Sequence, residues 1–204
     1  MSQYFEIHPT HPQARLIRQA ADIVRGGGVI AYPTDSTYAF GCHLGDKSAL
    51  ERIRALRRLD RRHLLTLVCH DLSVIATYAK VDNGQYRLLR RGTPGPYTFI
   101  LEASRELPKR LLQERRKTIG MRVPDHPIPA ALLAELDEPL LTTTALLPGD
   151  ELPLTDGFDI RERLQKQLDL VIDGGPCGLE ATTVVDLTLA PPAVLRQGIG
   201  AWPL

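Results

Sequence analysis

Cysteine is scarce in this chain: three among 204 residues. Cys42, Cys69 and Cys177 are odd in number, far apart and without a C-x-x-C pair. That excludes a disulfide framework and fits a reducing compartment, so a cytoplasmic location is expected. Cys42-His43 and Cys69-His70 lack the spacing of a tetrahedral metal site, and no metal held by protein side chains is expected. The opening MSQYFEIHPTHP has no basic-then-apolar leader pattern, and no apolar run approaches membrane length; no membrane partner is expected. The net charge is +1, so total charge names no partner. A P-loop, a G-x-G-x-x-G fingerprint and a nucleophile elbow are all missing, and no Ser–His–Asp order stands out. The one glycine run, Gly26 to Gly28, lies between a helix end and a strand start. A phosphate cradle needs the reverse order, so the run reads as a turn.

What is present is ordinary in amount and unusual in arrangement. Apolar residues make up 43 % and charged residues 24 %, the balance of a globular protein large enough to bury a core without disulfides or metals. Thr10 and Gln13 form a capping-box pattern, after which Leu16, Ile17, Ala20, Ile23 and Val24 repeat at helical spacing. Asp46, Asp71 and Asp82 stand where further helices open, and Pro127 and Pro129 sit in the first turn of another. VIAY, LLTLVC, TFILEA, KTIGMRVP, PLLTTT, DLVID, TTVVDL and AVLRQ read as strands. LLPGDELPLTDG is the longest piece without a pattern, a candidate flap. Helices and strands interleave, so the expected fold is α/β (or α+β). It is a single domain over residues 1–204, with one twisted mixed sheet of about seven strands.

Hydroxyls gather where strands end. Thr34, Ser36, Thr37 and Tyr38 do so early, then Thr98, then Thr142, Thr143 and Thr144, then Thr182 and Thr183. Any one of them is explained by β-propensity. Four clusters at four strand ends point to the place where open sheets bind ligands, with donors suited to phosphate or carboxylate oxygens. Arginine far outnumbers lysine. Arg57, Arg58, Arg61 and Arg62 form either a solvated helix end or a cationic rim. Arg122 and Arg196 lie within or beside apolar strand patterns, where a guanidinium demands an anion.

These pieces resemble YrdC-domain proteins, the threonylcarbamoyl-adenylate synthase family. YPTDSTYAFGC, TPGPYTFIL, TIGMRVPDHPIPAALL, PLLTTTALLPG and the closing strands through VLRQG are similar to its motifs in the right order. The match runs from about Gln13 to Gly200, and the opening and the RRKTIGMRVP run look most like the YciO branch. The resemblance implies a twisted mixed sheet around a large, positively lined cavity. It also implies partners: an adenine nucleotide, L-threonine and bicarbonate, joined with ATP into threonylcarbamoyl-adenylate for the t6A modification of tRNA. Magnesium accompanies the ATP, and no tightly bound cofactor is implied. By carry-over, Thr34, Ser36, Tyr38, Thr98 and Arg122 hold substrate, Arg122 taking a carboxylate or phosphate. Arg57, Thr143, Thr144, Thr182, Thr183 and Arg196 hold the nucleotide.

The departures from the family pattern are specific. Where synthases carry a K-x-R pair, this chain has Arg57 and Leu59. Where they carry the asparagine and later serine of their T-S-A-N loop, it has Leu146 and Pro148. The alternative expectation is therefore a non-catalytic protein that binds double-stranded RNA or tRNA. Arg57, Arg58, Arg61, Arg62, Arg115, Arg116 and Lys117 would then track phosphates.

Overall fold

The structure, a computed structural model, describes residues 1–60, 63, 65–111 and 117–203. In chain order the elements are β1 (Gln3–Glu6), α1 (Ala14–Arg25), β2 (Ile30–Tyr32), β3 (Ala39–His43), α2 (Lys47–Arg57), β4 (Thr66–Val68), α3 (Leu72–Tyr78), α4 (Asn83–Gly92) and β5 (Tyr97–Glu102). There follow a 3-10 turn (Lys109–Leu111), β6 (Thr118–Arg122), α5 (Pro127–Leu136), β7 (Leu140–Thr144), α6 (Gly157–Leu164), β8 (Leu170–Asp173), β9 (Thr183–Asp186) and β10 (Ala193–Arg196). All ten strands join one mixed sheet in the order β1-β8-β2-β3-β7-β4-β6-β5-β9-β10. The fold is the expected α/β one, and the sheet is wider than the roughly seven strands expected. All eight runs read as strands join it, and β1 and β3 are added to them. QYFE is too short and too polar to read as a strand, and AFGCH hides behind the polar run that precedes it.

The helix starts follow their caps. Asp46 accepts from Ala49 N at 2.8 Å, and Asp71 accepts from Ser73 N at 2.8 Å and Val74 N at 3.1 Å. Asp82 and Gln85 form a reciprocal capping box. Each satisfies backbone donors that a helix end leaves unpaired. The box expected at Thr10 and Gln13 does not form. Gln13 is itself the N-cap residue, its side-chain oxygen takes His8 N at 3.1 Å, and the Thr10 hydroxyl turns to His8 Nδ1 at 3.2 Å. At the other end of α1, Gly27 adopts φ +84°, a left-handed turn that glycine makes without steric cost. The expected flap over 146–157 is tied down, and its last residue, Gly157, already opens α6. Leu154 N donates to Ala145 O at 2.7 Å, Leu154 is buried, and Arg163 pairs with Asp150 at 2.8 Å.

The two faces of the sheet are covered unequally, and this decides where a site can lie. On one face Phe40, Leu67, Phe99, Met121, Leu141, Val171 and Val185 form a continuous core with α2, α3, α4 and α6, whose Leu50, Ile53, Ile75, Leu89 and Ile160 pack into it. On the other face only α1 and α5 pack. Their Ile17, Ala21, Val24, Ile128, Leu132 and Leu133 cover Ile30, Tyr32, Ala39, Leu140, Leu170 and Ile172. That helix pair seals the β8-β2-β3 end. The half of the same face formed by β7, β4, β6, β5 and β9 carries none of the described helices, and most of its side chains are polar, Ile100 and Val184 being exceptions.

Candidate ligand cavity

The uncovered half-face is built by register. Gly41 pairs with Thr142, Thr142 with Thr66, Thr66 with Gly120, and Gly120 with Ile100. These residues form one row across five strands. Two positions along, Thr144 pairs with Ala39, Val68 with Arg122, and Thr98 with Val184. Side chains two apart share a face, so threonines at alternate positions of β7, β4 and β5 all stand on the open side, while the residues between them enter the core. The open side is the floor of a cavity of about 180 Å³ that continues through its mouth into solvent. Gly120 keeps the floor low: a Cβ there would lie 3.1 Å from Thr66 Oγ1 and 3.2 Å from Thr98 Cγ2.

Seven of the residues expected from sequence border this cavity: Ser36, Thr98, Arg122, Thr143, Thr144, Thr182 and Arg196. They come from β5, β6, β7 and β10 and from the turns before β3 and β9. Thr143 borders it although its register partner is the core residue Phe40. The hydroxyls of Thr98 and Thr182 are 2.8 Å apart. Arg196 lies past a bulge in β10 that sets it opposite Val184, and it is exposed toward the opening rather than buried. Its Nε and Nη2 donate to Thr182 O at 3.1 and 3.0 Å. The bidentate clamp fixes the guanidinium plane, and partial desolvation of the clamped group, with the Arg122 charge nearby, lowers its pKa.

Thr34, Tyr38 and Thr183 are not on the cavity wall. The Thr34 hydroxyl accepts from Ser36 N at 3.2 Å and donates to Thr37 O at 2.6 Å, holding the turn that presents Ser36. Tyr38 Oη donates to Gly175 O at 2.9 Å, and burial beside Asp173 pushes its pKa far up. Thr183, fully buried, donates to Gly200 O at 2.6 Å and accepts from Gly198 N at 2.9 Å. All three satisfy backbone groups that would otherwise be buried unpaired.

Arg122 needs a further correction. It was expected to wait for a substrate anion, and the chain supplies one itself. Its Nη2 pairs with Asp35 Oδ1, with side chains 9 % and 10 % exposed, and Asp35 Oδ2 accepts from Asp125 N at 3.1 Å. Asp35 was overlooked because 87 residues separate the partners. Arg122 Nε remains buried without a partner. Arg57 is also off the wall. Its Nη1 donates to the carbonyl of Leu146, and burial lowers its pKa. Thr37 and Thr142, named in the hydroxyl clusters at strand ends though given no ligand role, also stand on the wall; the side chains overlooked are His63 and Thr66. The threonine inside the strand run LLTLVC was the signal for Thr66; His63 had none.

Three of the cations assigned to RNA lie among the described residues: Arg57, placed above, Arg58 and Lys117. Arg58 is the left-handed C-cap of α2, at φ 49°. Lys117 is exposed at φ 51° before β6. Arg61, Arg62, Arg115 and Arg116 lie outside the described residues. No described helix is long and apolar enough to cross a membrane.

A sheet sealed on one face and opened on the other into a hydroxyl-floored, arginine-edged cavity defines an α/β protein built around an anion-suited hollow. The chain belongs to the family whose model, Sua5_yciO_yrdC, described as "Telomere recombination", matches residues 22–198. It is 56 % identical over 200 residues to the uncharacterized protein YciO of Escherichia coli, covering 98 % of this chain and 97 % of that one. The crystal structure of E. coli YciO superposes with a TM-score of 0.95, each chain covered to 98 %. The threonylcarbamoyl-AMP synthase of Nitrosococcus oceani is 34 % identical over 159 residues, 78 % of this chain and 85 % of that one. The structure of Pyrococcus abyssi Sua5 complexed with L-threonine matches with a TM-score of 0.89 at 26 % identity, over 97 % of this chain and 58 % of that longer one.

Proposed function

We propose that this cavity holds an adenine nucleotide together with L-threonine, and that the chain forms threonylcarbamoyl-adenylate slowly from threonine, bicarbonate and ATP. The observation that carries the reading is the cavity wall. Eight hydroxyl side chains (Ser36, Thr37, Thr66, Thr98, Thr142, Thr143, Thr144 and Thr182) and the clamped Arg196 surround one hollow, with no carboxylate among the described wall residues. The kinship with a threonylcarbamoyl-AMP synthase and with a structure holding L-threonine supports the choice of ligand. In this chemistry a carbamate oxygen attacks the α-phosphorus and pyrophosphate leaves. Charge builds on the phosphoryl oxygens, and fixed donors stabilise it without reorganising. Among the described residues no group of three His, Cys, Asp or Glu is arranged to hold a metal ion. In this reading magnesium enters as the companion of ATP, as the family resemblance implies.

The departures set the rate. Leu146 has no side-chain donor, and its carbonyl accepts the Arg57 guanidinium. A missing positioned donor costs about 10²–10³ in rate. Leu146→Asn is expected to raise threonine- and bicarbonate-dependent pyrophosphate release by about tenfold, part of that factor. Gly120→Val is expected to cost about 1–3 kcal/mol in stability through overpacking and to lower ATP affinity at least about tenfold by filling the floor. Calorimetry with ATP, threonine and threonylcarbamoyl-adenylate, beside a pyrophosphate assay, tests the reading. Failure of all three ligands to bind removes it; binding without pyrophosphate release removes its catalytic half.

A further inference from the structure

One titratable side chain on the cavity wall has no part in the chemistry above. His63 faces the hollow together with Thr66, Thr142, Arg122 and Arg196. It is the one wall side chain among the described residues whose charge changes near neutral pH. The charged groups that act on it come from several elements. Arg57 approaches from the end of α2 and disfavours the charged imidazole, whereas Asp60, on the connection that follows, favours it. Across the cavity stand Arg122 on β6, already paired with Asp35, and Arg196 on β10. His63 is exposed at the mouth side of the wall, yet partial desolvation is the largest influence and lowers its pKa below the usual imidazole value. The cavity thus sets an imidazole whose charged form is disfavoured on the same wall as the Arg122 and Arg196 guanidinium groups.

We infer that His63 is a phosphate contact of this cavity and takes up a proton when a phosphate dianion binds beside it. The inference rests on the nucleotide reading of the cavity and adds which ligand class the site prefers and how pH governs it. A neutral imidazole between cations is poorly placed to charge itself. A dianion arriving within about 4–6 Å reverses that balance, because opposite charge at this range favours the charged form. The protonated ring then donates to a phosphate oxygen, adding a charge-assisted hydrogen bond to those from Arg196. A carboxylate or a phosphodiester, with one negative charge, compensates the ring less. The wall thus selects for terminal phosphates. The sign is fixed: between the free and ligand-bound pKa of His63, affinity falls as pH rises, by at most about tenfold per pH unit.

The test is an NMR titration of the histidine imidazole signals, with His63 assigned by its loss in His63→Gln. It is run on the whole chain alone, with saturating ATP, and with adenosine as the phosphate-free control. ATP is expected to raise the pKa of His63 by about one pH unit or more, and adenosine to leave it in place. Between the free and ATP-bound pKa values of His63, the ratio of wild-type to His63→Gln affinity for ATP should fall as pH rises; the ratio cancels the titration of the phosphate itself. ATP bound with the His63 signal unmoved overturns the inference and leaves the nucleotide reading standing. A ratio that stays constant across that window also overturns it. No ATP binding at any pH removes both.

Discussion

Replacing Asp35 with alanine is expected to lower the unfolding free energy by about 3–5 kcal/mol, the cost of leaving a buried charge without its partner. The Arg122 side chain is 9 % exposed and sits at the end of a central strand, so it has little access to water in compensation. The same substitution strips Asp125 N of its acceptor, loosening the turn that leads into α5. A urea titration reads the effect as a lower midpoint with an unchanged slope. The ion pair itself, rather than lost packing, is isolated by a cycle with Arg122→Met. The double variant should be clearly more stable than Asp35→Ala alone, because a methionine in the same space carries no charge to strand. A loss under about 1 kcal/mol, the range of a solvated surface pair, would mean that the pair is not buried in solution.

Arg196→Ala is expected to reduce pyrophosphate release by about 10²–10³, the usual effect of removing one fixed donor from a developing oxyanion. ATP affinity should fall by roughly ten- to hundredfold, corresponding to a charged hydrogen bond of about 1.5–3 kcal/mol. Stability should change little, since the residue is exposed at the mouth and lies on the last strand of the sheet. Arg196→Lys makes the argument sharper. Lysine keeps the charge but cannot clamp the Thr182 carbonyl through two nitrogens as arginine does. Its rate should therefore fall between wild type and alanine. Unchanged ATP affinity in Arg196→Ala would place the phosphates elsewhere in the cavity.

Much of the fold was legible because it is written in short-range chemistry. Asp46, Asp71 and Asp82 announce α2, α3 and α4 by offering a carboxylate to unpaired N–H groups. Eight strands follow from apolar runs, and the glycine turn after α1 lies where the sequence puts it. The misses have equally physical causes. β1 is a four-residue strand whose pattern is half exposed, so its existence depends on β8 being there to pair with. β3 is apolar for most of its length, but Gly41 and the hydroxyls before it masked the run. Gly41 is required because a Cβ would approach the Tyr32 ring to 2.9 Å, a contact between two strands.

The candidate site divides in the same way. Sequence alone established the inventory: threonines at alternate strand positions, two arginines at apolar strands, and the order of motifs that marks the family. Period-2 alternation fixes which side chains share a face whatever the neighbouring strands are. Only the tertiary structure decided what each group does. Helices α1 and α5 cover half of one face and leave the rest open, which makes a row of threonines into a floor. Asp35 neutralises Arg122, Leu146 holds Arg57, and Thr34, Tyr38 and Thr183 turn inward to backbone groups. A side chain's role depends on which partner lies within about 3 Å, and for Arg122, Arg57 and Tyr38 that partner is 87, 89 and 137 positions away in the chain.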